Sequence, residues 1–176
     1  MNKNRIMVKG ALLLALLLIA QSLRLILPIP PFIIIFIIGT FINAIIFTSV
    51  KTTSLKITLV ISIIAPTVAY LQGQLPLIPL IPLVAAGNIT YATIIYLTDE
   101  KYQCICMSTI IPAAAKTAIL IAGLQLTMNA IEIPPPIATA MSFALGWPQL
   151  ITGTAGAVLS KLLIKRLNSN QLDKHP

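Results

Sequence analysis

FALGWPQLITGTAGAVLSKLLIKRL, residues 143–167, carries Trp147-Pro148-Gln149 early and ends on the cations Lys161, Lys165 and Arg166. From Ile137 to Leu163 the first charged residue is Lys161. That run is long enough to cross a hydrocarbon core of ~30 Å. Small residues recur at helical spacing, from Gly146 to Gly153, Gly153 to Ala157 and Gly156 to Ser160. Helices in lipid associate by close backbone approach, so this seam is expected to face other helices. Trp147, Pro148 and Gln149 at mid-membrane predict that the segment also lines something.

The composition fits that reading. Of 176 residues, 57% are hydrophobic and only 9% charged, with a mean hydropathy of +0.97. A soluble domain of this size does not need so much apolar surface, so the chain reads as one all-α integral membrane domain, residues 1–176. The first apolar run continues to about Leu27, too long for the core of a signal peptide, and reads as a retained helix. Cys104-Ile105-Cys106 holds the only cysteines, and His175 is the sole histidine. That set cannot complete a metal site, and two ordinary thiols are expected.

Six apolar segments emerge, near Met7–Leu27, Phe32–Val50, Leu55–Leu71, Leu77–Leu97, Gln103–Met128 and Ile137–Leu163. Each approaches the ~20 residues of a membrane-spanning helix. Lys3, Arg5, Lys9, Lys51, Lys56, Lys101, Lys161, Lys165, Arg166 and Lys174 flank alternate ends, which puts ten of the twelve cations on one side. The positive-inside rule then predicts six spans with both termini cytoplasmic, in short tails of about residues 1–6 and 166–176. The net charge of +8 therefore marks membrane boundaries, with no nucleic-acid partner expected. Arg24 at the edge of the first span is expected to snorkel to headgroups.

Proline is distributed the opposite way. Pro28, Pro30 and Pro31, then Pro76, Pro79 and Pro82, then Pro134, Pro135 and Pro136 fall in the three loops opposite the cations. They read equally as stiff rim loops or as plain helix termination. Pro66, Pro112 and Pro148 lie inside spans and free the carbonyls of Ser62, Ser108 and Ala144. In a membrane such groups are tolerated only in protein or beside a wet cavity.

Counting ~1.5 Å per residue places Lys116, Gln21 and Asn88 at one height in the outer half, with Asn43, Trp147 and Gln149 somewhat deeper. A lysine in mid-span costs roughly 2.5–3.5 kcal/mol to insert, and no acidic residue lies in any span. Lys116 is therefore read as binding a carboxylate, phosphate or ring carbonyl; the structural alternative pairs it with Glu132 or with freed helix carbonyls. Asn88 and Asn43 serve either a ligand or interhelical hydrogen bonding. Trp147 either stacks on a flat ligand or packs between helices. No nucleophile–histidine–acid set, paired carboxylates, nucleotide loop or metal cluster is present in the sequence. The chain is accordingly not expected to be an enzyme, nor to carry a cofactor.

Taken in order, ALLLALLLIAQSL (11–23), Ile42-Asn43-Ala44, Pro76–Pro82 leading to GNITY (87–91), AAAKTAIL (113–120) and WPQLITGTAGAVLSKLLIKRL (147–167) carry a resemblance. Over nearly its whole length the chain resembles the substrate-binding S components of energy-coupling factor transporters, the vitamin and micronutrient importers of prokaryotes. The resemblance implies a multi-pass plasma-membrane protein that captures a small nutrient at the outer face. It further implies delivery by docking on a membrane coupling protein driven by two ATPase subunits, with Ala11 and Ala15 of helix one at the docking stripe. It names no substrate. The alternative is a small structural or assembly membrane protein without a ligand.

Overall fold

The computed structural model describes residues 3–98 and 105–172, apart from the side chains of 105, 106 and 167–172. Seven helices occupy these residues: α1 (Lys3–Ile26), α2 (Pro31–Thr52), α3 (Leu55–Leu71), α4 (Leu80–Thr98), α5 (Ile105–Ala130), α6 (Pro135–Ala144) and α7 (Pro148–Leu172). Asp99, Glu100, Lys101, Cys104, Lys174 and His175 lie outside the described residues, as does the side chain of Cys106. Four helices, α1, α2, α4 and α5, are long and apolar enough to cross a membrane. The chain is thus an all-helical protein of multi-pass membrane type. At 17 residues, α3 is shorter but just as apolar in character, and ~1.5 Å per residue still carries it most of the way across a bilayer core.

The sixth apolar segment departs from the expectation of one continuous helix. It breaks at Leu145–Trp147, so that α6 ends at Ala144 and α7 starts at Pro148. Pro148 has no N–H to continue the ladder, but its fixed φ suits the first position of a new helix. The turn is closed by Gly146 N–H to Phe143 O at 3.2 Å and by Gln149 N–H to Gly146 O at 3.0 Å. A Cβ on Gly146 would stand 2.5 Å from Ser142 O, so the turn needs glycine there.

Prolines also start helices at the opposite loops. Pro30 caps α2 and Pro134 caps α6, each followed by proline in the first turn. Their carbonyls accept the first helical bonds, from Ile33 and Ile34 and from Ile137 and Ala138. Helix initiation therefore accounts for these two proline clusters, and the same residues leave the loops short and stiff. At the other end Ser54 caps α3, its hydroxyl accepting from Ile57 N–H at 3.5 Å.

Round the bundle the neighbours run α1, α2, α7, α5, α4, α3 and back to α1. Gly10 of α1 meets Ile57 of α3, Thr48 of α2 meets Ser160 of α7 at 2.6 Å, and Lys161 of α7 donates to Ser108 of α5. These contacts bring the start of α1 and the end of α7 to one end of the bundle, here the terminal end. The proline loops form the other, the loop end.

The small-residue seam of α7 packs inward as its spacing implies. Gly153, Gly156, Ala157 and Ser160 are buried, and a Cβ on Gly156 would meet Ala44 N at 2.7 Å and Thr40 O at 2.8 Å. Backbone-to-backbone approach of this kind is how helices gain dispersion contact when lipid supplies no hydrophobic drive. Three buried apolar clusters result: around Phe47, Tyr91 and Ala157; around Leu80, Leu120 and Leu145; and around Leu17, Ile45 and Ile61.

Candidate functional site

Toward the loop end the helices line a part-open cavity of about 130 Å³. Its walls are aliphatic, from Ile34, Ile38 and Ile42 of α2, Ala65 and Ala69 of α3, and Leu75, Val84 and Leu145. Its polar lining is Gln21 and Arg24 of α1, Asn43 of α2, Gln74 of the α3–α4 loop, Asn88 of α4, Lys116 of α5 and Gln149 of α7. Five of the six residues expected from depth counting therefore meet around one space.

Trp147 is the exception. It is 55% exposed and does not line the cavity. Its ring packs on Phe36 and edge-on to Phe143, each at 5.7 Å between centroids. Lying in the break between α6 and α7, it is turned away from the axis that Gln149, two residues on, faces.

Two residues were missed. Arg24, expected at the headgroups, is half-buried and lines the cavity from the last turn of α1. Gln74 lies outside every apolar segment and is brought in by its turn. Gly73 adopts φ +71°, which lets Gly73 N–H reach Tyr70 O at 2.9 Å and Gln74 N–H reach Ala69 O at 2.8 Å. This glycine-closed helix end reverses the chain. Gln74 Nε2 then donates to Gln21 O at 3.0 Å and to Gln72 Oε1 at 2.8 Å, while Gln72 Nε2 donates to Ser22 Oγ at 3.0 Å. The α3–α4 loop is thus clasped onto the end of α1.

Lys116 is 3% exposed. Its Nζ donates to Asn43 Oδ1 at 2.7 Å and stands 5.6 Å from the centroid of the Tyr91 ring. Asn43 Nδ2 passes the interaction on to Thr152 Oγ1 at 3.3 Å, and Tyr91 is held by its hydroxyl donating to Gly153 O at 2.8 Å. Glu132 is the one carboxylate among the described residues, is exposed, and does not line the cavity. The Lys116 ammonium is therefore met by an amide oxygen and an aromatic face, the Glu132 pairing being absent.

Two of the carbonyls that proline frees are taken up by this same set. Asn88 Nδ2 donates to Ser62 O at 3.4 Å, and Gln149 Nε2 donates to Ala144 O at 2.9 Å. Gln21 Nε2 likewise donates to Ala65 O at 2.9 Å, beside Pro66. Spending the amide nitrogens on backbone leaves the amide oxygens. Gln21 Oε1 and Asn88 Oδ1, on side chains 1% and 2% exposed, have no hydrogen-bond partner. A buried acceptor left unpaired costs about 1–3 kcal/mol. Two cations thus line the cavity with two residues whose buried amide oxygens are unpaired, and Ser62 Oγ behind Asn88 is unpaired as well.

Ala11 and Ala15, by contrast, are exposed on the outer face of α1, on one stripe with Val8, Leu12, Leu16 and Ile19. No group of metal-ligating side chains occurs among the described residues. Comparisons with protein-family models, with curated proteins and with solved structures gave no match.

Proposed function

We propose that this chain is the substrate-capture subunit of a multi-subunit importer, of the energy-coupling factor S-component type, for a small water-soluble nutrient. The observation that supports this reading is the cavity toward the loop end, where α1, α2, α4, α5 and α7 each direct at least one polar side chain into an aliphatic chamber. Ligand sites have this construction, mostly apolar walls with a few convergent polar groups. In a membrane, polar side chains at depth are costly and mark pathways or binding sites by default.

Topology adds to it. Lys3, Arg5, Lys9, Lys51, Lys56, Lys161, Lys165 and Arg166 gather at the terminal end. By the positive-inside rule that end faces the cytoplasm, the broken α6–α7 pair completes a sixth crossing, and the cavity opens toward the outside of a prokaryotic plasma membrane. Energy is then supplied by partner subunits, a membrane coupling protein and two ATPases.

One observation favours the ligand-free structural alternative. Lys116, Asn43 and Gln149 already hydrogen-bond within the protein, as packing glue does. Purification in mild detergent with mass spectrometry of the extracted small molecules separates the readings. A stoichiometric small molecule, lost on replacement of Lys116 by Met, supports capture. A ligand-free protein that also fails to associate with any coupling protein and ATPases sinks it.

A further inference from the structure

We infer that the cavity takes a compact monoanionic carboxylate whose opposite edge carries N–H or O–H donors, with Lys116 and Arg24 receiving the carboxylate and the Gln21 and Asn88 amide oxygens receiving the donors. The inference rests on the capture reading and narrows it to one chemical class.

Charge decides the first half. Lys116 and Arg24 both line the cavity, and among the described residues no carboxylate does. The positive end of α7, which starts at Pro148 beside Gln149, has the same sign. A cationic ligand would meet repulsion in a low-dielectric space, and a neutral one would add no charge attraction to the hydrogen bond that Lys116 already makes to Asn43.

The unpaired acceptors decide the second half. Gln21 Oε1 and Asn88 Oδ1 are buried and have no donor. Their nitrogens are fixed on Ala65 O and Ser62 O, so only the oxygens of these two wall residues are left for a ligand's donors. Phosphate carries its O–H groups on the same compact centre as its charge, whereas a carboxylate with a donor-bearing body sets the donors apart from the charge. Size points the same way. About 130 Å³ is well under the ~300 Å³ at which drug-sized sites begin, which favours a small ligand. Among the described residues no aromatic side chain lines the cavity, so the body is gripped by aliphatic contact and not by stacking.

The test is a panel of donor-bearing carboxylates of this size, lactate, pyroglutamate and pyrrole-2-carboxylate among them. Each is run beside its primary amide, with furan-2-carboxylate as the donor-free counterpart of the last and inorganic phosphate as a further arm. Binding is read by calorimetry on the detergent-purified full chain. A carboxylate should bind at least about tenfold tighter than its amide, and a donor-bearing acid tighter than its donor-free counterpart. Lys116→Met should erase the acid–amide preference. Should that variant not fold, Arg24→Gln, at a half-buried position, should reduce the same preference. Equal affinity for acids and amides, binding of phosphate alone, or an unresponsive panel overturns the carboxylate class. A neutral compound that binds tightly overturns the class yet leaves capture standing. A protein that retains no small molecule and associates with no coupling protein removes capture itself.

Discussion

The Lys116 ammonium reaches from α5 to Asn43 Oδ1 of α2 across 2.7 Å, and the amide of Asn43 reaches on to Thr152 of α7. Three helices are tied by one asparagine, and the cation is satisfied without any acid. Charged hydrogen bonds of this kind contribute more than neutral ones, and stranding one partner costs more than removing both. Asn43→Leu alone should therefore destabilise the protein by about 2–4 kcal/mol, while Asn43→Leu with Lys116→Met should cost less than the single change. Denaturant unfolding of both variants in the same detergent measures this; additive costs would show that the two side chains are not coupled.

Glycines at two positions should respond in different ways. A Cβ on Gly156 would meet Ala44 N at 2.7 Å, Asn43 Cβ at 2.8 Å and Thr40 O at 2.8 Å. Two of these are backbone atoms that cannot turn aside, so Gly156→Ala should force α7 off α2 at a cost of about 1–3 kcal/mol. It should also loosen Asn43 and so weaken ligand binding. Gly73→Ala meets nothing within 4 Å but inherits φ +71°, and should cost about 1–2 kcal/mol of backbone strain alone. Unfolding midpoints together with ligand affinity for both variants check the contrast.

Trp147 is predicted to matter to packing and not to ligand. Its contacts are with Phe36 and Phe143, and aromatic pairs add about 0.5–1.5 kcal/mol beyond burial. Trp147→Leu should lower stability by roughly that amount and leave affinity within about twofold. A large loss of affinity in a variant of normal stability would place the indole in the binding site after all.

The polar layer was legible because polar residues are rare in these segments, so counting along a helix sets their height. Height does not set azimuth, which is why Gln21, Asn43, Asn88, Lys116 and Gln149 converge while Trp147 turns outward. The freed carbonyls at Ser62 and Ala144 followed from proline chemistry, but their partners Asn88 and Gln149 needed the fold. Arg24 was hidden by its nearness to the boundary, where snorkelling explains any arginine. Gln74 depends on a left-handed glycine turn that no periodicity reports. The break at Leu145–Trp147 was written in Gly146 and Pro148, yet the unbroken apolar run outweighed them.

The coupling stripe yields a contrast between adjacent residues. Gly10 is buried, and a Cβ there would stand 2.6 Å from Ile57 Cγ2, so α1 and α3 touch at that point. Ala11 and Ala15 are exposed one turn apart, Ala11 at the outer edge of the groove that Gly10 and Ile57 line, where a larger side chain has room to extend into lipid. Internal packing is therefore not what keeps them small. Gly10→Leu should destabilise the bundle by about 1–3 kcal/mol, through overpacking. Ala11→Trp with Ala15→Trp should fold, keep its unfolding midpoint and bind ligand as the parent does, since the cavity is lined by Gln21 and Arg24 farther along α1. If the stripe is the docking face for a coupling protein, as proposed, the same double variant should lose co-purification with that protein and lose ATP-dependent uptake. Small residues are what permit close helix approach in lipid, and two indoles would hold a partner helix away. Binding, co-purification and uptake measured on one preparation settle the matter: lost binding would return the stripe to internal packing, and intact uptake would place docking elsewhere.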